Sequence, residues 1–401
     1  MIDTGRIIDA SRRLDTWIES QGFCGWDPFD ALNSSLAKSL SFGNRRIGQA
    51  WVQLLKGSFV NLRPLISVPK GYNPKGMGLF LSSYLQKYQR RGAKSDIEKV
   101  IFFADWLQKN ISSGYHGACW GYNFDWPNRG FYAPKGTPTI VNTAFIGLAF
   151  LDFYRLAKEN SFVLGQQFSS PESLLEIARS SCQFILHDLH VLRSGNDECC
   201  FSYTPLDTRC VHNANLLGSW LLAEVGAITS EPELIQAALQ SARYSARRQR
   251  GDGSWPYGEA VHDAWVDSFH TGYVLVALKH IGECLNTSEF QTILESGYQF
   301  WKRTMFLLDG TPKFYANSTY PVDTHCAAQA IITFLAFEDQ DSQAREGAGQ
   351  VAGWAVKNLQ NAQGFFNYQR TRFYINRIPY MRWTQAWMQR ALTEWEGKCD
   401  G

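Results

Sequence analysis

Two kinds of helical pattern alternate along this chain. One mixes charge with apolar residues at helical spacing, over about residues 96–110, 171–190, 231–249, 288–305 and 342–360, as a half-exposed helix requires. The other is apolar almost all round, over 141–154, 216–225, 272–281 and 327–337, and predicts helices buried on every side. Start signals accompany the first kind. Ser95-x-x-Glu98, Ser230-x-x-Glu233 and Ser288-x-x-Gln291 read as capping boxes, and Ser170-Pro171 as an N-cap followed by proline.

The pattern repeats. Apolar helices begin near Asn142, Asn213, His270, His325 and Gln385, at intervals of 71, 57, 55 and 60 residues. Aromatic turns precede them, such as Cys119-Trp120-Gly121-Tyr122 and Ser254-Trp255-Pro256-Tyr257, and Tyr72-Asn73-Pro74-Lys75-Gly76 anticipates Tyr132-Ala133-Pro134-Lys135-Gly136 by 60 residues. Six helical hairpins therefore fit the length. The predicted fold is all-α, an (α/α)6 toroid or double-layered helical barrel with short β-hairpins in its loops; an open superhelix of helical pairs is the competing architecture. One domain over 1–401 is expected, with an N-terminal helical segment over 1–60 and repeated hairpins over about 60–395.

Composition adds one anomaly. The 401 residues include 14 Trp, 17 Tyr and 26 Phe, 14% of the chain, which suggests an aromatic-lined cavity. The 39 basic and 37 acidic residues give a net charge of +2, and with no long basic stripe in view nucleic acid is not an expected partner. The N-terminus lacks a basic region followed by an apolar stretch, and the nearly apolar run 140–151 falls short of the ~20 residues that span a bilayer. A cytoplasmic protein without an integral membrane segment is expected. Nine cysteines without a C-x-x-C pair read as reduced thiols.

Polar residues concentrate where the apolar helices start. Asp267 and Asp323 head two of them, followed by His270 and His325, and such carboxylates can act as acid and base on a glycosidic bond; each Asp also suits a plain N-cap. His212, Asn213 and Asn215 hold the equivalent place in another repeat, either as sugar ligands or as cap and core residues. Trp120, Tyr122 and Trp126 can stack on sugar faces, with Asp125 as a third acidic candidate, and Trp255, Tyr257, Tyr315 and Arg209 join them from neighbouring turns. Four arginines, 370, 372, 377 and 382, stand among aromatics that include Tyr380 and Trp383. A guanidinium fork matches carboxylate or phosphate, and Arg382 is the candidate reader of substrate charge. No cofactor is expected: metal-ligand spacing, a Gly-rich phosphate loop, a G-x-S-x-G elbow and an aspartate-rich cyclase cluster are all missing from the sequence.

The segments Phe201-Ser202-Tyr203-Thr204-Pro205-Leu206-Asp207, Val211-His212-Asn213-Ala214-Asn215-Leu216-Leu217, Asp309-Gly310-Thr311-Pro312-Lys313, Ala328-Gln329-Ala330-Ile331-Ile332 and Ile378-Pro379-Tyr380-Met381-Arg382-Trp383 resemble a group of bacterial proteins associated with surface-polysaccharide biosynthesis. That group lies within the α/α-toroid superfamily of six-hairpin glycosidases, uronate-acting enzymes and terpenoid cyclases. The resemblance implies an oligosaccharide or polysaccharide substrate and carries no catalytic residue. With the residues above, the expectation is an enzyme that cleaves glycosidic bonds of an anionic, uronate-bearing glycan through Asp267 and Asp323. A uronosyl C5-epimerase or lyase, a glycan-binding scaffold and, more distantly, an isoprenoid cyclase are the alternatives.

Overall fold

In the computed structural model, which describes residues 2–128 and 131–399, the chain is built from helices joined by short hairpins. The helices are α1 (Thr4–Ser20), α2 (Ser35–Leu40), α3 (Arg45–Gly57), α4 (Pro74–Arg91), α5 (Lys94–Lys109), α6 (Ile140–Glu159), α7 (Pro171–His187), α8 (His212–Thr229), α9 (Pro232–Ala246), α10 (Ser268–Cys284), α11 (Gln291–Thr304), α12 (Thr324–Ala336), α13 (Ala344–Asn358) and α14 (Trp387–Cys399). Strands are confined to β1 (Trp126–Pro127), β2 (Tyr132–Ala133), β3 (Val191–Ser194), β4 (Glu198–Phe201), β5 (Val322–Asp323), β6 (Gln369–Arg370) and β7 (Ile375–Asn376). The chain divides into two compact units. Unit 1 takes residues 1–83, 121–137 and 306–401, and unit 2 takes 84–120 and 138–305.

In unit 2 the buried helices α6, α8 and α10 pack side by side, and each carries the half-exposed helix that follows it, α7, α9 or α11. Their all-round apolar surface explains the layering, since each fully buried Leu or Ile contributes roughly 1.5–3 kcal/mol that an exposed position forfeits. The approach of α6 to α8 is close: a β-carbon on Gly147 would lie 2.8 Å from Leu221. Polar ties also hold inner to outer helix, with Asn215 Nδ2 donating to Ser241 O at 2.8 Å. Helix α6 has the length and hydropathy to cross a membrane, yet most of it is buried among α7 and α8.

In unit 1, α12 packs on α13 and α14, while α1 packs against α14 and α13. The last inner helix therefore takes its outer partner from the other end of the chain. Strands β5, β6 and β7 form an antiparallel sheet with Asp323 opposite Gln369 and Gln369 opposite Asn376. Helices α2 and α3 stand outside the repeat and enclose a small core of Ala31, Val52, Leu55 and Val68.

Helix positions follow the sequence pattern, but the expected capping boxes do not form. Helix α5 begins at Lys94 with Ala93 at its cap. Ser230 takes a left-handed conformation that ends α8, with Glu231 capping α9 ahead of Pro232, and Phe290 caps α11. In each case the chain must turn sharply from the preceding segment, and that turn decides where the helix starts. Ser170 does cap α7, with proline in the first turn, though its side chain bonds no helix amide.

Candidate active site

The first turn of α10, in unit 2, holds an ordered polar pair. Asp267 caps the helix: its Oδ1 accepts the His270 backbone N–H at 2.8 Å, and its Oδ2 lies 2.7 Å from His270 Nδ1. A carboxylate in that place makes Nδ1 the N–H donor, so the lone pair of the neutral ring is on Nε2. The Asp267 side chain is wholly buried, whereas that of His270 is 20% exposed. Among the described residues Nε2 has no hydrogen-bond partner.

Aromatic rings surround the imidazole. Its centroid lies 4.6 Å from Tyr257, 5.5 Å from Trp265 and 3.9 Å from Phe269. Tyr257 and Trp265 stack on each other at 4.3 Å, and the Tyr257 N–H donates to Trp265 O at 2.8 Å, which holds the loop in register. Asp267 and His270 line a small indentation of about 10 Å³ with Asn213, Trp255, Pro256, Tyr257, Thr271 and Val274. Asn213 Oδ1 is buried there without a hydrogen-bond partner. A histidine fixed by a carboxylate beside flat rings can accept and return a proton on a ligand stacked in such a cleft.

Other residues singled out in unit 2 serve the framework. Asn215 is fully engaged, accepting from the Phe201 N–H and donating to Ser241 O and Ser245 Oγ. His212 is buried near Ser245, and burial pushes its pKa down to about 4, which keeps the ring neutral. Trp255 donates to Ser245 O and Trp120 to Leu107 O, both from fully buried positions. Arg209 is ion-paired with Asp263.

Unit 1 places Asp323 at the cap of α12, where it accepts from the His325 N–H at 2.8 Å, from Gln369 Nε2 at 2.6 Å and from the Trp383 indole at 3.1 Å. Complete burial overrides these bonds and raises its pKa to about 6. His325 lies between Trp383 and Trp387, 4.7 Å from each ring centre. Arg382 gives both arms of its fork to Asp27 while its plane lies 5.0 Å from Tyr122. Two of the five N–H donors of Arg382 are thus committed to a buried carboxylate. Tyr380 is likewise engaged, accepting from Arg63 at 2.9 Å.

Asp125 pairs with Lys38 at 2.7 Å and accepts the Lys135 N–H, which anchors its loop. Tyr122 stacks on Phe124 at 5.0 Å, and Trp126 meets Phe131 edge-on; Arg129, beside them in sequence, lies outside the described residues. Tyr315 is half-buried against Phe314. Sequence reasoning missed Asp27, Asp30, Lys56, Arg63 and Lys75, the charged groups buried around Arg382 and Asp323 in unit 1. Three of the five, Asp27, Asp30 and Lys56, come from the N-terminal segment over 1–60, where no periodicity drew attention to them. Among the described residues no three His, Cys, Asp or Glu side chains gather into a set that could hold a metal.

No family model and no curated protein sequence matches the chain. Solved structures do. The cellobiose 2-epimerase of Bacillus thermoamylovorans is similar at a TM-score of 0.61 and 9% identity, over 82% of this chain and 88% of that one. The cellobiose 2-epimerase of Spirochaeta thermophila gives 0.60 and 14%, over 82% and 86%. An unsaturated glucuronyl hydrolase from a Bacillus species gives 0.53 and 13%, over 79% and 84%. At these identities the likeness shows the fold: the chain is an all-α protein of the α/α-toroid class with short β-hairpins.

Proposed function

We propose that the protein is a cytoplasmic carbohydrate-modifying enzyme that moves a proton at a sugar carbon through His270, an epimerase-like reaction. The observation that carries this reading is the bonding of Asp267. Both of its oxygens are bound to His270, and it is buried, which suits a residue that orients a base rather than one that donates a proton to a glycosidic oxygen. In the proposed step the proton beside the carbonyl of an open-chain sugar passes to His270 Nε2, leaving an enediolate, while Asp267 stabilises the imidazolium through Nδ1–H. Rotation of the enediolate about the neighbouring carbon–carbon bond turns its other face to the same imidazolium, and return of the proton from His270 Nε2 then inverts the carbon. Tyr257 and Trp265 supply stacking faces, and Asn213 Oδ1 an acceptor for a sugar hydroxyl. The fold likeness to sugar 2-epimerases supports a substrate of this class. Since Arg209 of the same unit is already paired with Asp263, a neutral sugar suits the cleft better than a uronate.

The experiment is proton exchange in deuterated water. Incubation with cellobiose or mannobiose should place deuterium on the sugar carbon, and His270→Asn should slow it by roughly 10²–10⁴-fold. Glycan cleavage without exchange into the carbon would overturn the reading.

A further inference from the structure

The net charge of +2 conceals a lopsided distribution. Residues 31–83 contain seven Lys or Arg and no Asp or Glu, and residues 347–393 contain six and again none. Both stretches belong to unit 1. The acids that pair with them there include Asp125 on Lys38, Asp27 on Arg382, Asp30 on Arg63 and Glu394 on Arg390. Arg46, Lys70, Arg372 and Arg377 stay exposed on the surface.

The same surface displays large apolar side chains. Phe42 is 82% exposed, Phe59 70%, Leu65 80% and Phe373 88%, with Leu36, Leu40, Ile47, Leu54 and Val60 also exposed. Helix α3 buries Gly48, Val52 and Leu55 and turns Ile47, Ala50 and Leu54 outward beside Arg46 and Gln53, so its solvent-facing side mixes apolar side chains with a cation. The tip of the β6–β7 hairpin continues this surface. Tyr374 donates to Gly57 O at 3.1 Å and packs edge-on against Phe59, and Asn376 donates to Ser58 O, which anchors Arg372 and Phe373 beside the end of α3.

We propose that this face, α2, α3, the loop after it and the 371–374 tip, docks on an anionic lipid bilayer. Charge complementarity selects the occupant. A basic, acid-free surface is drawn to acidic headgroups, and protruding Phe and Leu side chains gain by entering the acyl boundary. A nucleic acid satisfies the arginines but offers aliphatic Leu36, Leu40 and Leu65 nothing to stack on. A second copy of the same face brings like charges together. The proposal is independent of the catalytic reading, because none of these residues lines the α10 cleft. It places the enzyme at a membrane surface, where lipid-linked glycans or their precursors reside.

Sedimentation of the whole chain with vesicles tests it. Binding is expected to phosphatidylcholine vesicles containing 30% phosphatidylglycerol, to be negligible with phosphatidylcholine alone, and to weaken as salt is raised. Phe42→Ser with Phe373→Ser, and separately Arg46→Glu with Arg372→Glu, should each weaken binding by tenfold or more with an unchanged melting temperature. The proposal fails if the wild type does not bind the anionic vesicles, or if both double variants bind as it does. It also fails if single-stranded DNA binds more tightly than the vesicles and is indifferent to the Phe changes, or if the Phe changes abolish only self-association.

Discussion

Arg382 holds Asp27 through two N–H···O bonds of 2.6 and 2.8 Å, across 355 residues of sequence and with both side chains almost fully buried. A pair of this kind is costly to break from one side, because the orphaned charge remains in a medium that solvates it poorly. Asp27→Asn or Arg382→Met alone should cost about 3–5 kcal/mol. The double substitution should recover a large part of that loss, and chemical denaturation of the three variants reads the comparison directly. Arg382→Lys should also lose stability, since an ammonium cannot reproduce the fork.

Asp323 should leave a signature in the dependence of stability on pH. Its folded pKa is raised to about 6 from an ordinary 3.8, so the folded state binds its proton more tightly than the unfolded state. The sign follows: this carboxyl favours folding while protonated, and stability falls as pH rises from about 4 to about 6, by at most about 3 kcal/mol. Asp30, also raised to about 6, acts in the same direction and window. Denaturation midpoints of wild type and Asp323→Asn between pH 4 and 8 should therefore diverge, with the variant gaining on the wild type as pH rises. Parallel curves would show that the carboxyl is not held in the surroundings described.

Asp267→Asn tests orientation separately from proton transfer. Asn is nearly as good a cap as Asp, so the melting temperature should move little. The amide cannot stabilise the imidazolium as a carboxylate does, and its NH2 can turn toward Nδ1. Exchange at the sugar carbon should fall by roughly 10²-fold or more in kcat with KM little changed. The pH profile should shift as well, which a residue serving only as a cap would not cause.

A β-carbon on Gly117 would lie 1.8 Å from the Ser180 carbonyl oxygen of α7, and the neighbouring Ala118 N–H donates to Ser180 Oγ at 2.9 Å. Backbone cannot yield as a side-chain end can. Gly117→Ala should lower stability by more than about 2 kcal/mol, whereas Gly114→Ala, with open space but a left-handed backbone, should cost about 1 kcal/mol. Thermal melts of the two variants check the ranking.

The helical layering was legible because burial imposes its own spelling: a helix enclosed on all sides, such as α6 or α8, has to be apolar all round. Asp267 with His270 was legible for a related reason, since a polar pair opening an otherwise apolar helix stands out. What could not be read was partnership. Arg382 looks identical in sequence whether or not a carboxylate holds its fork, and Asp27, which does, lies 355 residues away. The partners of Asp125 and Asn215 were hidden in the same way. The basic bias of residues 31–83 was fully visible in the sequence, yet a chain-wide sum of charges averaged it away.

The pairing of α14 with α1 has a consequence for how the chain is assembled. Helix α1 is made long before α14 and waits without this mate until α14 follows, and meanwhile its apolar flank with Ile7, Leu14 and Ile18 is a nascent sticky surface open to chaperones. Moving α1 behind α14, as a circular permutant, would make the two helices neighbours in time as well as in space. Such a chain should mature faster and lean less on chaperones, although the finished fold would be the same.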